Sequence, residues 1–178
     1  MARSRYRIYE NGYPHFVTCT VIGWRPVFMR PEAVEIVLDS LRFLQKERGL
    51  LLFGYVIMEN HLHMIAKAEN LSVRLQQFKS FTARAILDLL ERRQAIGLLN
   101  ELRALKKPHK LDSDHQFWDE GSHPQQIDSD EMMEQKLEYI HNNPVRRGYI
   151  SDPTHWRYSS AGVYARLPGL LNVVTDWR

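Results

Sequence analysis

The feature that most constrains this chain is an apolar run, "LLLFGYVIM" (residues 50–58), which breaks at "MENH" and returns at once as "HLHMIA" (residues 61–66). A run this rich in strand formers reads as a central strand, and the segment after the tight break reads as its paired neighbour. Alternation along that second strand places His61, His63 and Ile65 on one face and Leu62, Met64 and Ala66 on the other. Two imidazoles therefore project together from an apolar surface. A buried polar group is unfavourable unless something satisfies it. Hydrogen bonds, a metal ion or a phosphate would each do so.

Other elements follow from period and punctuation. "PHFVTCTVIG" alternates, with Phe16, Thr18 and Thr20 facing one way and Val17, Cys19 and Val21 the other, as in a strand. "RPEAVEIVLDSLRFLQKERG" carries Val34, Val37, Leu38, Leu41 and Leu44 at helical spacing, with Pro31 at its start and Gly49 past its end. From Asn70 onwards, Leu71, Leu75, Phe78, Thr82, Ala85 and Leu89 form one stripe of a helix. The last helix covers "DSDEMMEQKLEYIHNNP", with Asp128 and Glu131 as a capping pair, an apolar stripe of Met133, Leu137 and Ile140, and Pro144 as its stop. The tail "HWRYSSAGVYARLPGLL" reads as short helix and loop. Strand, helix, strand, strand, helix, helix predicts an α+β fold, a ferredoxin-like antiparallel sheet with helices on one face.

With 178 residues and 44% apolar content, the chain suits one domain, residues 1–178, with its core at about 13–164 and a charged insertion at about 91–116. Lys and Arg number 24 against 21 acidic residues, a mild bias towards anionic partners. Arg3, Arg5 and Arg7 stud the N-terminus, and Lys106, Lys107 and Lys110 crowd a loop. The single cysteine, Cys19, allows no internal disulfide, and neither a signal core nor a membrane-spanning run is present, so a cytoplasmic location is expected.

The chemistry-bearing candidates begin with the imidazole pair, which serves equally as a divalent-metal grip or as a hydrogen-bonded structural pair. Tyr139 and Asn143 lie four apart and so share a helix face. Pro144 disfavours helical geometry at Asn143 and puts it at a frayed end. An amide oxygen there could complete a coordination shell, although Tyr139 also reads as a packing aromatic and "NNP" as a terminator. His115, His123, His141 and His155 are further candidates for a third ligand. Phe117, Trp118, Trp156 and Tyr158 suit either base stacking or a satellite core.

Taken in order, "YPHFVTCTVIGWRPVF", "YVIMENHLHMIAK", "LQQFKSFTAR", "FWDEGSHPQQIDSDEMMEQKLEYIHNNPVRRGYI" and "HWRYSSAGVY" resemble the REP-associated tyrosine transposase family of the HUH (His-hydrophobic-His) single-strand nucleases. The resemblance runs from about Tyr13 to Tyr164. It implies that His61 and His63 bind metal, that Asn143 completes the metal site, and that Tyr139 is the nucleophile on a helix beside the sheet. It also implies cleavage and rejoining of single-stranded DNA next to hairpins, with magnesium or manganese as cofactor, by a monomer or a homodimer. Two departures stand out: the segment 91–116 is longer than the resemblance leads one to expect, and "MENH" lacks the proline that many relatives carry, which should alter only the turn.

The implied reaction is attack by Tyr139 on phosphorus, giving a covalent 5′-phosphotyrosine and a free 3′-hydroxyl. The reverse attack rejoins the strand, so no nucleotide cofactor is required, and no phosphate-cradling loop occurs in the sequence. Phenols ionise near pH 10, so the attack needs help in removing a proton. Imidazole ligands favour manganese over magnesium. Lys79, Ser80 and Arg84 on one helix, with Arg146 and Arg147, are the candidate DNA-binding residues; phosphate contacts of this kind position DNA without reading it. Two rivals remain. A metal-dependent hydrolase using water would make Tyr139 dispensable, and a non-catalytic hairpin or single-strand binder would dispense with the histidines too.

Overall fold

The computed structural model describes residues 12–111 and 113–178; Arg3, Arg5 and Arg7 lie outside them. The elements run β1 (His15–Thr20), α1 (Pro31–Arg48), β2 (Leu51–Ile57), β3 (His61–Lys67), α2 (Leu71–Arg92), α3 (Ile96–Ala104), β4 (Gln125–Gln126), α4 (Asp130–His141), α5 (Asn143–Arg146) and α6 (Ala161–Tyr164). The four strands form one antiparallel sheet in the order β2-β3-β1-β4. This is an α+β architecture in which β1–α1–β2 and β3–α2–β4 interleave, as the ferredoxin-like reading anticipates.

Helices cover both faces, not one. Val17, Cys19, Leu52, Leu62 and Met64 pack with Val34, Val37, Leu38 and Leu41 of α1 and Leu75 and Phe78 of α2. On the opposite face Phe16, Phe53, Val56 and Ile65 meet Met133, Leu137 and Ile140 of α4. The physical reason is that β2 and β3 are apolar on both sides, so each side needs cover. Gly54 lets α4 come close: a Cβ there would lie 2.5 Å from Leu137 Cδ2.

β2 is an outer strand rather than the central one expected. Its free edge is nevertheless occupied by chain: Ile57 N–H donates to Tyr158 O at 2.8 Å, Ser160 N–H to Tyr55 O at 2.9 Å, and Val174 N–H to Leu52 O at 2.8 Å. Covered in this way, an outer strand shows the same apolar run as a central one. The other side of the sheet is closed by residues 117–127, where Asp119 N–H donates to Thr20 O and Thr18 N–H to Ser122 O.

Helix ends follow local chemistry. α1 has Pro31 at its start and ends on Gly49 in the left-handed region, φ 65°. In α2 the buried stripe passes through Ile86 instead of Ala85. Ser129, not Asp128, caps α4, accepting from Met132 N–H. Pro144 does interrupt the helix, but Asn143 opens the short α5 and is buried rather than frayed. The charged segment after α2 resolves into α3, which gives Leu99 and Leu102 to the core, and a loop. Phe117 and Trp118 are core residues. Among the described residues no helix is long and apolar enough to cross a membrane.

Candidate functional site

Antiparallel register sets His63 opposite Thr18 and His61 opposite Thr20 on the α4 side of the sheet. The two rings lie with centroids 4.6 Å apart, and the residues are 3% and 6% exposed. Each is held by its Nδ1. Thr18 Oγ1 lies 2.8 Å from His63 Nδ1, and Asn60 Oδ1 lies 2.7 Å from His61 Nδ1. Asn60 also donates through Nδ2 to Trp24 O at 3.3 Å, which fixes its Oδ1 towards the ring. His61 therefore donates from Nδ1 and keeps the lone pair of Nε2 for another partner.

Burial pushes the His61 imidazole down to about 4, with Glu59 opposing and Arg147 assisting. Burial pushes His63 to about 3, helped by the neighbouring His61 and Lys136. Both rings are thus neutral at physiological pH, the form that binds a metal.

Tyr139 comes to them from α4. Its ring centroid lies 5.3 Å from that of His63 and 5.9 Å from that of Phe16. Phe16 in turn stacks on His63 at 5.3 Å and 25°. The tyrosine is 38% exposed, so the phenol stands at the rim of the site and not within the apolar interior. The Arg146 guanidinium lies 5.5 Å from the centre of its ring, and Lys136 Nζ lies 4.9 Å from that of Phe16. Asn143, four residues beyond Tyr139 at the start of α5, is 8% exposed.

Two neutral imidazoles side by side are donors of the kind that a divalent cation takes. Among the described residues no three His, Cys, Asp or Glu side chains converge on one point, and His141 is instead bonded to Ser160 Oγ at 2.9 Å. A cation here would rest on two neutral imidazoles and an uncharged oxygen such as that of Asn143. Mixed nitrogen and oxygen donors suit manganese better than magnesium.

The remaining candidates divide in two. Arg146 and Arg147 sit at the end of α5 near Tyr139, where Arg147 Nη1 pairs with Glu59 Oε1 at 3.1 Å. Lys79, Ser80 and Arg84 lie on α2, across the sheet, in the wall of a cleft of about 1260 Å³ that Asp88, Glu91 and Asp119 also line. Lys79 Nζ is committed there to the carbonyls of Asp119 at 2.8 Å and Gly121 at 3.0 Å. Sequence reasoning did not find Thr18, Asn60, Phe16 or Trp24. Of these, only Asn60 had a local signal, as a hydrogen-bonding residue adjacent to His61.

Trp24 borders the site at a centroid distance of 5.6 Å from His61. It holds a left-handed backbone, φ 56°, immediately after Gly23 at φ 61°. For a residue other than glycine that conformation costs of order 1–3 kcal/mol.

No protein-family model matches the chain, and no curated protein does. Among solved structures, the fold is similar to that of a REP-associated tyrosine transposase bound to a REP hairpin, at 18% identity and a TM-score of 0.69, over 100% of this chain and 92% of that one. A protein of Deinococcus radiodurans assigned as a transposase is a looser match, at 18% identity and a TM-score of 0.42, over 80% of this chain and 97% of that one.

Proposed function

We propose that this chain, built on the fold seen in a REP-associated tyrosine transposase, cleaves and rejoins single-stranded DNA beside hairpins. The observation that carries the reading is the meeting of an exposed phenol, Tyr139, with two buried neutral imidazoles, 5.3 Å away at the nearer ring. A divalent ion held by His61, His63 and Asn143 would draw charge from the scissile phosphate and fix its orientation.

Tyr139 Oη attacks phosphorus and gives up its proton to water, the bond from phosphorus to the 3′-oxygen breaks, and that oxygen takes up a proton from water and leaves as a hydroxyl. The products are a 5′-phosphotyrosine and a free 3′ end, and the reverse attack restores the strand. Arg146 lies beside the Tyr139 ring, 5.5 Å from its centre, where a phosphate approaching the phenol would pass. Arg146 and Arg147 contact phosphates next to the break, Arg147 exchanging its Glu59 partner for DNA. Ser80 and Arg84, exposed on α2, contact DNA farther out, while Lys79 anchors the loop at 119–121. A DNA substrate also agrees with the cytoplasmic location expected.

The test is a denaturing gel of the protein incubated with labelled single-stranded hairpin oligonucleotides and manganese or magnesium. A covalent protein–DNA band that disappears in Tyr139→Phe and with chelator is the expected result. Free fragments that persist in that variant would instead establish a water-using hydrolase. Binding without either product would leave a hairpin-binding protein.

A further inference from the structure

Trp24 has no part in the chemistry above, yet it is 56% exposed and borders His61 edge-on, with ring planes at 69°. An exposed indole beside a catalytic group is a surface that a flat ligand can cover. The backbone beneath it is held from several directions. Trp24 N–H donates to Val21 O at 2.9 Å, and its carbonyl accepts from Asn60, the residue that also orients His61.

The insertion completes the support. Gly23 is pressed so closely by Leu105, just beyond α3, that a Cβ there would lie 2.5 Å from Leu105 Cδ1. Arg25 Nε pairs with Glu101 Oε2 of α3 at 3.0 Å. Two consecutive left-handed residues, bracketed by α3 on one side and by Asn60 on the other, hold the indole at the border of the site. Strained backbone that the surroundings enforce at a site is characteristic of positioning.

We propose that Trp24 is the stacking platform for an unpaired base flanking the scissile phosphate, with the 91–116 insertion as its buttress. The inference rests on the single-strand DNA reading of the site. Aromatic faces bind any base, so the platform recognises single-strandedness rather than sequence. It also joins recognition to chemistry, because Asn60 bonds both the Trp24 backbone and the His61 ring.

The experiment measures equilibrium binding by fluorescence anisotropy in the Tyr139→Phe background, where no adduct forms. Two probes share one stem: a labelled DNA hairpin with single-stranded oligothymidine flanks, and the same hairpin blunt. Trp24→Gly relieves the left-handed strain as it removes the ring, so it is expected to fold at least as well, which a thermal melt verifies. Its affinity for the flanked probe should fall on the order of tenfold or more, with the blunt probe unaffected, and Trp24→Tyr should retain most of the binding. Equal affinity of Trp24→Gly and its parent for the flanked probe, or an equal loss on both probes, overturns the platform. The cleavage reading is tested separately, with Tyr139 intact: absence of the adduct there, beside a flank-specific loss in Trp24→Gly, removes the chemistry and leaves the platform standing.

Discussion

On the α1–α2 side of the sheet, Val17, Leu38, Leu41, Leu62 and Met64 interlock in aliphatic contact closed to solvent. On the α4 side a smaller apolar cluster grades into rings, Phe16, His63, His61 and Tyr139, that reach the surface. Both sides use the same strands, and alternate residues of β3 belong to each. The difference shows how the fold separates its tasks. One face supplies stability from area removed from water, roughly 1.5–3 kcal/mol for each large side chain. The other carries polar groups whose burial is unfavourable unless a partner is provided.

The comparison is most sharply tested by paired substitutions. Leu41→Ala should cost roughly 2–5 kcal/mol in urea denaturation, while the folded protein still binds manganese by calorimetry. His63→Asn can keep the Thr18 hydrogen bond, because its amide takes the place of Nδ1, so it should lose less stability but abolish manganese binding. If Leu41→Ala folds and no longer binds the ion, the two faces are not separate.

Acid titration should expose the polar face next. Burial depresses His61 to about 4, His63 to about 3 and His141 to about 4. An unfolded chain protonates these rings near 6.5, so between about 6.5 and 4 it binds protons that the folded chain refuses. Stability should therefore be full above about 6.5 and decline as pH falls through that window. Denaturation midpoints at pH 7 and pH 5 measure the decline, and His141→Asn should make it shallower. An unchanged slope in that variant would remove His141 from the account.

The smallest effect concerns the seat of α4. Gly54→Ala places a methyl against the tip of Leu137, at a cost of about 1 kcal/mol, the low end for overpacking. Tyr139 rides the same helix two residues on, so adduct formation should slow severalfold on the gel while the melting temperature changes little. A large drop in melting temperature with an unchanged rate would show that α4 supports the core more than it positions the tyrosine.

Much of this was legible in the order of residues, and the reason is periodicity. Alternation in "HLHMIA" determined that the imidazoles share a face, and Pro31 and Gly49 marked α1 at both ends. What was hidden depends on partners distant in the chain. The register that brings Thr18 to His63 comes from pairing β1 with β3, and no local pattern in either strand encodes it. β2 looked central because residues 158–174 cover its edge, and apolar content reports burial without saying by what. Trp24 was silent for a related reason: its exposure follows from a turn held by Leu105, about eighty positions later.

The occupied margins of the sheet have one more consequence. With the outer peptide groups of β2 engaged by the C-terminal third of the chain, and the opposite border ending in a strand only two residues long, no free ladder remains among the described residues for a foreign strand to extend. A second copy would have to meet the first through helices and side chains. Crowding of copies therefore need not drift into β-aggregation, because the described backbone offers it no template.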